Sequence, residues 1–281
     1  MITDEHRRNH LDRLVEAWDR IFDPEIVGLR HADRKSPRSI DPACEESLHY
    51  ALALLEMAER SRQGRAEVII NRLLEAPVLP GSAPLTLALI WHRHRRRLPS
   101  ALIEKITSHL GAAAKRIRSI NTDKNSPAPS DSINEIFVLL TVARIFDDAT
   151  LRSRAISHLD SLAGNSSPPP RASRDSAVLD WATALAGLRA IDTYSQDSAI
   201  AAPMEAALQR FQNESLSILQ KNTGKNSGTD PLTLLVSSAI RGIQCGSPDS
   251  GRRTFAALYA CVMKIESPAI LISDEAALPA Q

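Results

Sequence analysis

The chain is poor in glycine, aromatic residues and cysteine, and each shortage closes off a class of protein. Eleven glycines in 281 residues, with almost no β-branched alternation, leave little for the tight turns and half-buried strands of a sheet protein. Helices joined by short loops are expected instead. The three cysteines, Cys44, Cys245 and Cys261, are odd in number, far apart and without a CxxC pair. That predicts free thiols in a reducing compartment rather than a disulfide framework. No apolar run approaches the roughly 20 residues that span a bilayer. The opening Met1-Ile2-Thr3-Asp4-Glu5-His6-Arg7-Arg8 turns charged at once, without the apolar stretch of a secretory signal. A cytoplasmic address is the expectation. Charge of one sign is also missing: the formal net charge is +1, so no long-range field favours nucleic acid or an anionic membrane. GxSxG, HExxH and GxGxxG are absent, and no cofactor is implied.

What the chain does have is a hydrophobic fraction of 43%, enough for a sizeable core, and a recurring pattern. A capping residue, usually Asp, precedes an apolar Ala/Leu-rich helix, and a more charged partner helix follows. The starts read Asp41-Pro42-Ala43, Ser82-Ala83-Pro84, Asp131-Ser132-Ile133, Asp175-Ser176-Ala177 and Asp230-Pro231-Leu232. Two share a string, Pro84-Leu85-Thr86-Leu87 and Pro231-Leu232-Thr233-Leu234. Periodicity predicts a first amphipathic helix at about 4–22, an irregular basic connector at 23–40, and then five helix pairs. These lie at about 43–60 and 64–75, 83–96 and 99–119, 132–146 and 148–163, 176–193 and 198–221, and 231–245 and 249–265.

The first helices, such as Leu85-Thr86-Leu87-Ala88-Leu89-Ile90-Trp91, are apolar over most of their circumference and must be buried on all sides. The second helices carry one apolar stripe and one charged face. Each pair therefore has an inner and an outer member. The spacing of the starts is too irregular for a tetratricopeptide array and suits a barrel of hairpins with variable loops. Residues 1–265 read as one all-α domain, an α/α-toroid, and five pairs with a single helix leave open whether its six hairpins are complete. Residues 266–281 read as a tail.

A resemblance supports this. Ser47-Leu48-His49-Tyr50-Ala51-Leu52-Ala53-Leu54-Leu55-Glu56, followed by Arg65-Ala66-Glu67-Val68-Ile69-Ile70-Asn71-Arg72-Leu73-Leu74, resembles the opening hairpin of α/α-toroid proteins of the six-hairpin glycosidase type. Pro84 to His94 and then Leu98 to Leu102 are similar to their second hairpin, and Asn134-Glu135-Ile136 stands where the third begins. The resemblance implies a carbohydrate-active protein, with acids and aromatic platforms at the mouth of the ring.

The repeated Asp residues have two readings. Each explains itself as an N-cap, worth about 1 kcal/mol. If the inner helices run parallel, however, their starts gather at one mouth, and crowded carboxylates raise one another's pKa as a general acid requires. Asp180, inside the fourth inner helix beside Trp181, either faces a ligand or pairs with Arg144 or Arg189. On this basis Asp131, Asp180, Asp230 and His49 are the candidate acid/base groups. Asp41, Glu46, Tyr50, Trp91, Asn134 and Trp181 are the candidate ligand contacts.

Trp91-His92-Arg93-His94-Arg95-Arg96-Arg97 reads as a solvated helix end complementing the helix dipole. His92 and His94, about 200° apart on a helix, cannot share a metal. His6 and His10 fall short of a zinc ligand set, so no metal site is implied. Gly246-Ser247-Pro248-Asp249-Ser250-Gly251 follows a helix where a phosphate loop needs a strand, and reads as a turn. Two functions stay open: a carbohydrate-active enzyme, or a non-catalytic helical scaffold binding a protein or peptide. An aromatic content of 4% leaves few rings for sugar stacking, which weighs toward the second.

Overall fold

The computed structural model describes residues 3–29, 41–77, 79, 82–120, 129–164, 174–195, 197–220, 231–245 and 250–264. Among them the first helix, α1 (Asp4–Asp19), starts where Thr3 Oγ1 accepts a hydrogen bond from the backbone N–H of His6 at 3.2 Å. Asp4 and Glu5 in its first turn complement the positive end of the dipole. Leu11, Leu14, Val15 and Trp18 form its buried stripe.

The expected connector is ordered at its start. Strands β1 (Phe22–Asp23) and β2 (Gly28–Leu29) pair antiparallel, Phe22 opposite Leu29. The Asp23 carboxylate accepts from the Glu25 N–H at 2.8 Å, and Val27 takes φ 52° to complete the reversal. Ser47 Oγ then receives the Leu29 N–H at 3.2 Å, fastening the hairpin to the next helix.

The five pairs are α2 (Asp41–Glu56) with α3 (Arg60–Leu73), α4 (Ala83–His94) with α5 (Ser100–Ile120), α6 (Pro129–Phe146) with α7 (Ala149–Gly164), α8 (Arg174–Tyr194) with α9 (Ser198–Gln220), and α10 (Pro231–Cys245) with α11 (Ser250–Val262). The described residues are helical apart from the short hairpin and the turns between elements, as composition implies. Helix α2 stops earlier than expected because Ala58 adopts φ 58°, which ends helical hydrogen bonding. Between α6 and α7, Asp147 at φ 51° takes the left-handed position usually given to glycine, and the Asp148 N–H closes back on Ala143 O at 2.9 Å.

The apolar runs are buried as their composition requires. Every residue is buried over 46–55 of α2, 85–90 of α4, 136–143 of α6 and 254–263 of α11 and its last turn. Helix α2 packs on α4, α4 on α6, α6 on α8, α8 on α11, and α11 on α2, while α1 lies against α10 and α11. This corrects one sequence expectation. In the fifth pair the second helix, not the first, is the buried member. The run Phe255 to Met263 is apolar without interruption, whereas α10 exposes Arg241, Gln244 and Cys245. Parallel alignment of α2 and α4 is fixed at both ends, by Glu45 on Ser82 at their starts and Glu56 on Arg93 at their finishes. The tail from 266, residues 30–40 of the connector and Asp230 lie outside the described residues.

Candidate functional site

At the leading ends of α2 and α4 a chain of polar groups is tied together. Ser82, the residue before α4, does not cap that helix with its side chain. Its hydroxyl donates to Glu45 instead, and its N–H reaches the same carboxylate oxygen at 2.7 Å. With that proton committed, the Ser82 oxygen accepts from His49 Nε2 at 3.1 Å. His49 is 1% exposed and stacked near Phe255, with ring centroids 4.8 Å apart. Burial lowers its pKa against the opposing pull of Glu45 and Glu46, so the ring is neutral and its Nδ1 is a buried acceptor. That nitrogen has no hydrogen-bond partner among the described residues.

The start of α6 adds a second group. Asn134 presents a buried Oδ1, also without a partner among the described residues. Beside it, burial and the neighbouring Asp131 raise the Glu135 carboxyl, with Arg154 opposing. Asp131 itself is exposed and lies inside the first turn of α6, because the helix begins at Pro129. It therefore complements the helix dipole from within rather than preceding the helix as a cap. Glu135 went unnoticed in the sequence; the visible signal was its i, i+4 spacing from Asp131.

The remaining candidates divide. Glu46 is 2% exposed and accepts from Trp18 Nε1 at 3.1 Å. Tyr50 is buried, donates to Asp19 and accepts from Arg65 Nη1 at 2.9 Å. Burial, ahead of the Asp19 bond, pushes its hydroxyl above the ordinary phenol range. Both side chains fasten α1 to α2. Trp91 is half-buried, at the far end of α4 from Ser82. The side chains of Asp41, Asp180 and Trp181, and all of Asp230, lie outside the described residues.

The finishing ends of the same helices correct part of the reading of residues 91–97 as a solvated terminus: Arg93, Arg96 and Arg97 are exposed, but His94 is buried. His94 is 5% exposed and its Nε2 meets Glu56 Oε1 at 2.8 Å. Arg93 grips both oxygens of Glu56, with Nη2 to Oε2 at 2.6 Å, and reaches Tyr194 Oη at 2.9 Å. Burial alone would raise Glu56, but these hydrogen bonds and the Arg93 charge bring it to about 2. His92 is stacked on Tyr194 and Phe137, at centroid separations of 4.7 and 5.5 Å. Thr141 spends its proton on Phe137 O at 2.8 Å and so accepts from His92 Nε2 at 3.1 Å. Burial, then the charges of Arg144 and Arg95, lower His92 to about 3. The ring is neutral at any physiological pH and too weak a base to carry protons there.

These rings floor a cleft of about 360 Å³ between the ends of α4, α6 and α8 and the starts of α7 and α9. Its acidic wall is occupied. Asp148 accepts from Thr150 and Leu151 N–H, both at 3.0 Å, and Asp197 caps α9 while pairing with Arg152. Among the described residues no group of three or more His, Cys, Asp or Glu side chains is placed to hold a metal ion, and no helix is long and apolar enough to cross a membrane. Compared with known proteins, the chain matches no family model, no curated protein and no solved structure.

Proposed function

We propose that this chain is an α/α-toroid of the six-hairpin glycosidase type that handles a carbohydrate, or another small polar ligand, where α2, α4 and α6 begin. The order of helix contacts supports the architecture: the succession α2, α4, α6, α8, α11 returns to α2. The observation that carries the site is the pair of buried acceptors, His49 Nδ1 and Asn134 Oδ1, left without partners among the described residues. An unmade bond of this kind costs about 1–3 kcal/mol, and the hydroxyls of a sugar supply the missing donors. In this reading Glu135, raised by burial and by Asp131, is the proton donor and Asp131 the second carboxylate of a paired-acid site.

One observation favours the other class, a non-catalytic scaffold binding a protein or peptide. The long runs of α2, α4, α6 and α11 are buried residue by residue, which restricts any ligand to the helix ends. A thermal-shift panel of glycans with a product-release assay separates the two. The enzyme reading expects one glycan class to raise the melting temperature and to be cleaved. Glu135→Gln should keep the shift and lose cleavage by about a hundredfold or more. A shift without cleavage in the wild type leaves the scaffold; no shift with any glycan removes carbohydrate altogether.

A further inference from the structure

At the opposite end of α4 and α6, three guanidinium groups gather without an acidic partner among the described residues. Arg95 sits over the Trp91 ring, its Cζ 4.1 Å from the centroid. Arg144 donates from Nη1 to the Tyr194 carbonyl at 3.0 Å, which aims the group and leaves its other donors unused by that bond. Arg96 follows Arg95 on the exposed turn. Arg93, Arg152 and Arg189 each hold a carboxylate. Among the described residues none forms an ion pair with Arg95, Arg96 or Arg144. Burial and the charges of Arg144 and Arg96 disfavour the protonated form of Arg95, so the three repel one another. The helix C-termini offset only part of this, since each contributes about half a negative charge.

Arg144 and the His92–Tyr194 stack also line the 360 Å³ cleft, near the lower end of the volumes that hold small ligands. The geometry points to a binding site for a phosphate monoester: Arg95 and Arg144, with Arg96 at the edge, take the phosphate, and the body of the ligand enters the cleft beside His92 and Tyr194. A tetrahedral dianion suits three cations at the ends of two helices, because its oxygens can be shared among several forks, whereas a planar carboxylate fills one. The cleft argues against nucleic acid. Asp147, Asp148 and Asp197 also line it, and a continuous phosphate backbone laid along it would meet them. This site is separate from the starts of α2, α4 and α6, and stands or falls independently of the reading given there.

Calorimetric titration of the full chain with glucose 6-phosphate, inorganic phosphate and glucose, at matched ionic strength, tests it. Glucose 6-phosphate should bind saturably and more tightly than inorganic phosphate, and glucose should not bind here. Arg144→Gln and Arg95→Gln should each weaken the phosphate ester about tenfold or more, while Arg189→Gln, paired to Asp192 outside the cleft, should not. Arg144→Gln also loses the tie to Tyr194; if circular dichroism shows it misfolded, Arg95→Gln alone decides. Equal binding by wild type and Arg95→Gln overturns the assignment. So does glucose binding as well as its phosphate, or a mixed-sequence RNA oligomer binding more tightly than glucose 6-phosphate.

Discussion

Arg93 and Glu56 form a two-pronged ion pair that joins the finish of α4 to the finish of α2, with only 10% of the Glu56 side chain exposed. His94 shares the same carboxylate. Removing it strands a guanidinium and an imidazole together. Glu56→Ala should therefore cost about 3 kcal/mol, at the lower end of the range for breaking a buried pair because Arg93 keeps some solvent contact. Urea unfolding should show the loss as a lower midpoint; a change under 1 kcal/mol would mean the pair is loosely held.

Acid should destabilise the fold in two stages. Burial and nearby arginines hold folded His92 at about 3, below its ordinary 6.5, so the unfolded chain binds the extra proton first. Stability from this group is full above pH 6.5 and declines as pH falls toward 3. Glu56, at about 2 against 4.5, adds a decline that begins near 4.5 and runs down through 2. His92→Phe keeps a ring in the stack and should flatten the segment between pH 6.5 and 4.5. If the unfolding midpoint still falls there as steeply, His92 is not the group responsible.

Gly187 lets α8 run close against α6. A Cβ there would sit 2.6 Å from Ile133 Cγ2, and a β-branched side chain in a helix has little rotamer freedom to withdraw. Gly187→Ala should cost about 1–3 kcal/mol through overpacking. Pairing it with Ile133→Ala should recover part of that loss, a non-additivity read from the double-mutant cycle.

Tyr50→Phe tests whether that hydroxyl is a fastening. It bridges Asp19 and Arg65, yet those two also meet directly at 2.6 Å and are 39% and 45% exposed. They stay paired when the hydroxyl goes, so the loss should be about 1 kcal/mol. A drop several times larger in chemical denaturation would place more of the α1–α2 junction on this one group.

The helices were legible because apolar runs and caps are local signals. Every pair falls near its expected place, and Pro84 and Pro231 sit at or beside helix starts. The fifth pair was misjudged because Asp230-Pro231 repeats the earlier opening, while the longer apolar stretch Phe255 to Met263 carries the stronger claim to burial. The hairpin at 22–29 rests on Val27 with positive φ, a position for which the sequence offers no glycine. The cluster of Glu56, Arg93 and His94 was hidden by distance along the chain: its members are 37 and 38 positions apart. A run of arginines at a helix end looks solvated until its partner is known. Asp131 was visible at a helix start and His49 as a histidine close to Glu45 and Glu46, but the bond from His49 to Ser82 emerges only when helices are set side by side.

Helix α11 is translated after every other helix described, yet both α2 and α8 lean on it. Until it arrives, each of those earlier rods keeps a greasy flank in water. A solenoid can add its units one at a time, each resting on the last; this chain cannot. The contacts of α2 and α8 with α11 join distant parts of the chain, so loop-closure entropy is spent before that burial is gained.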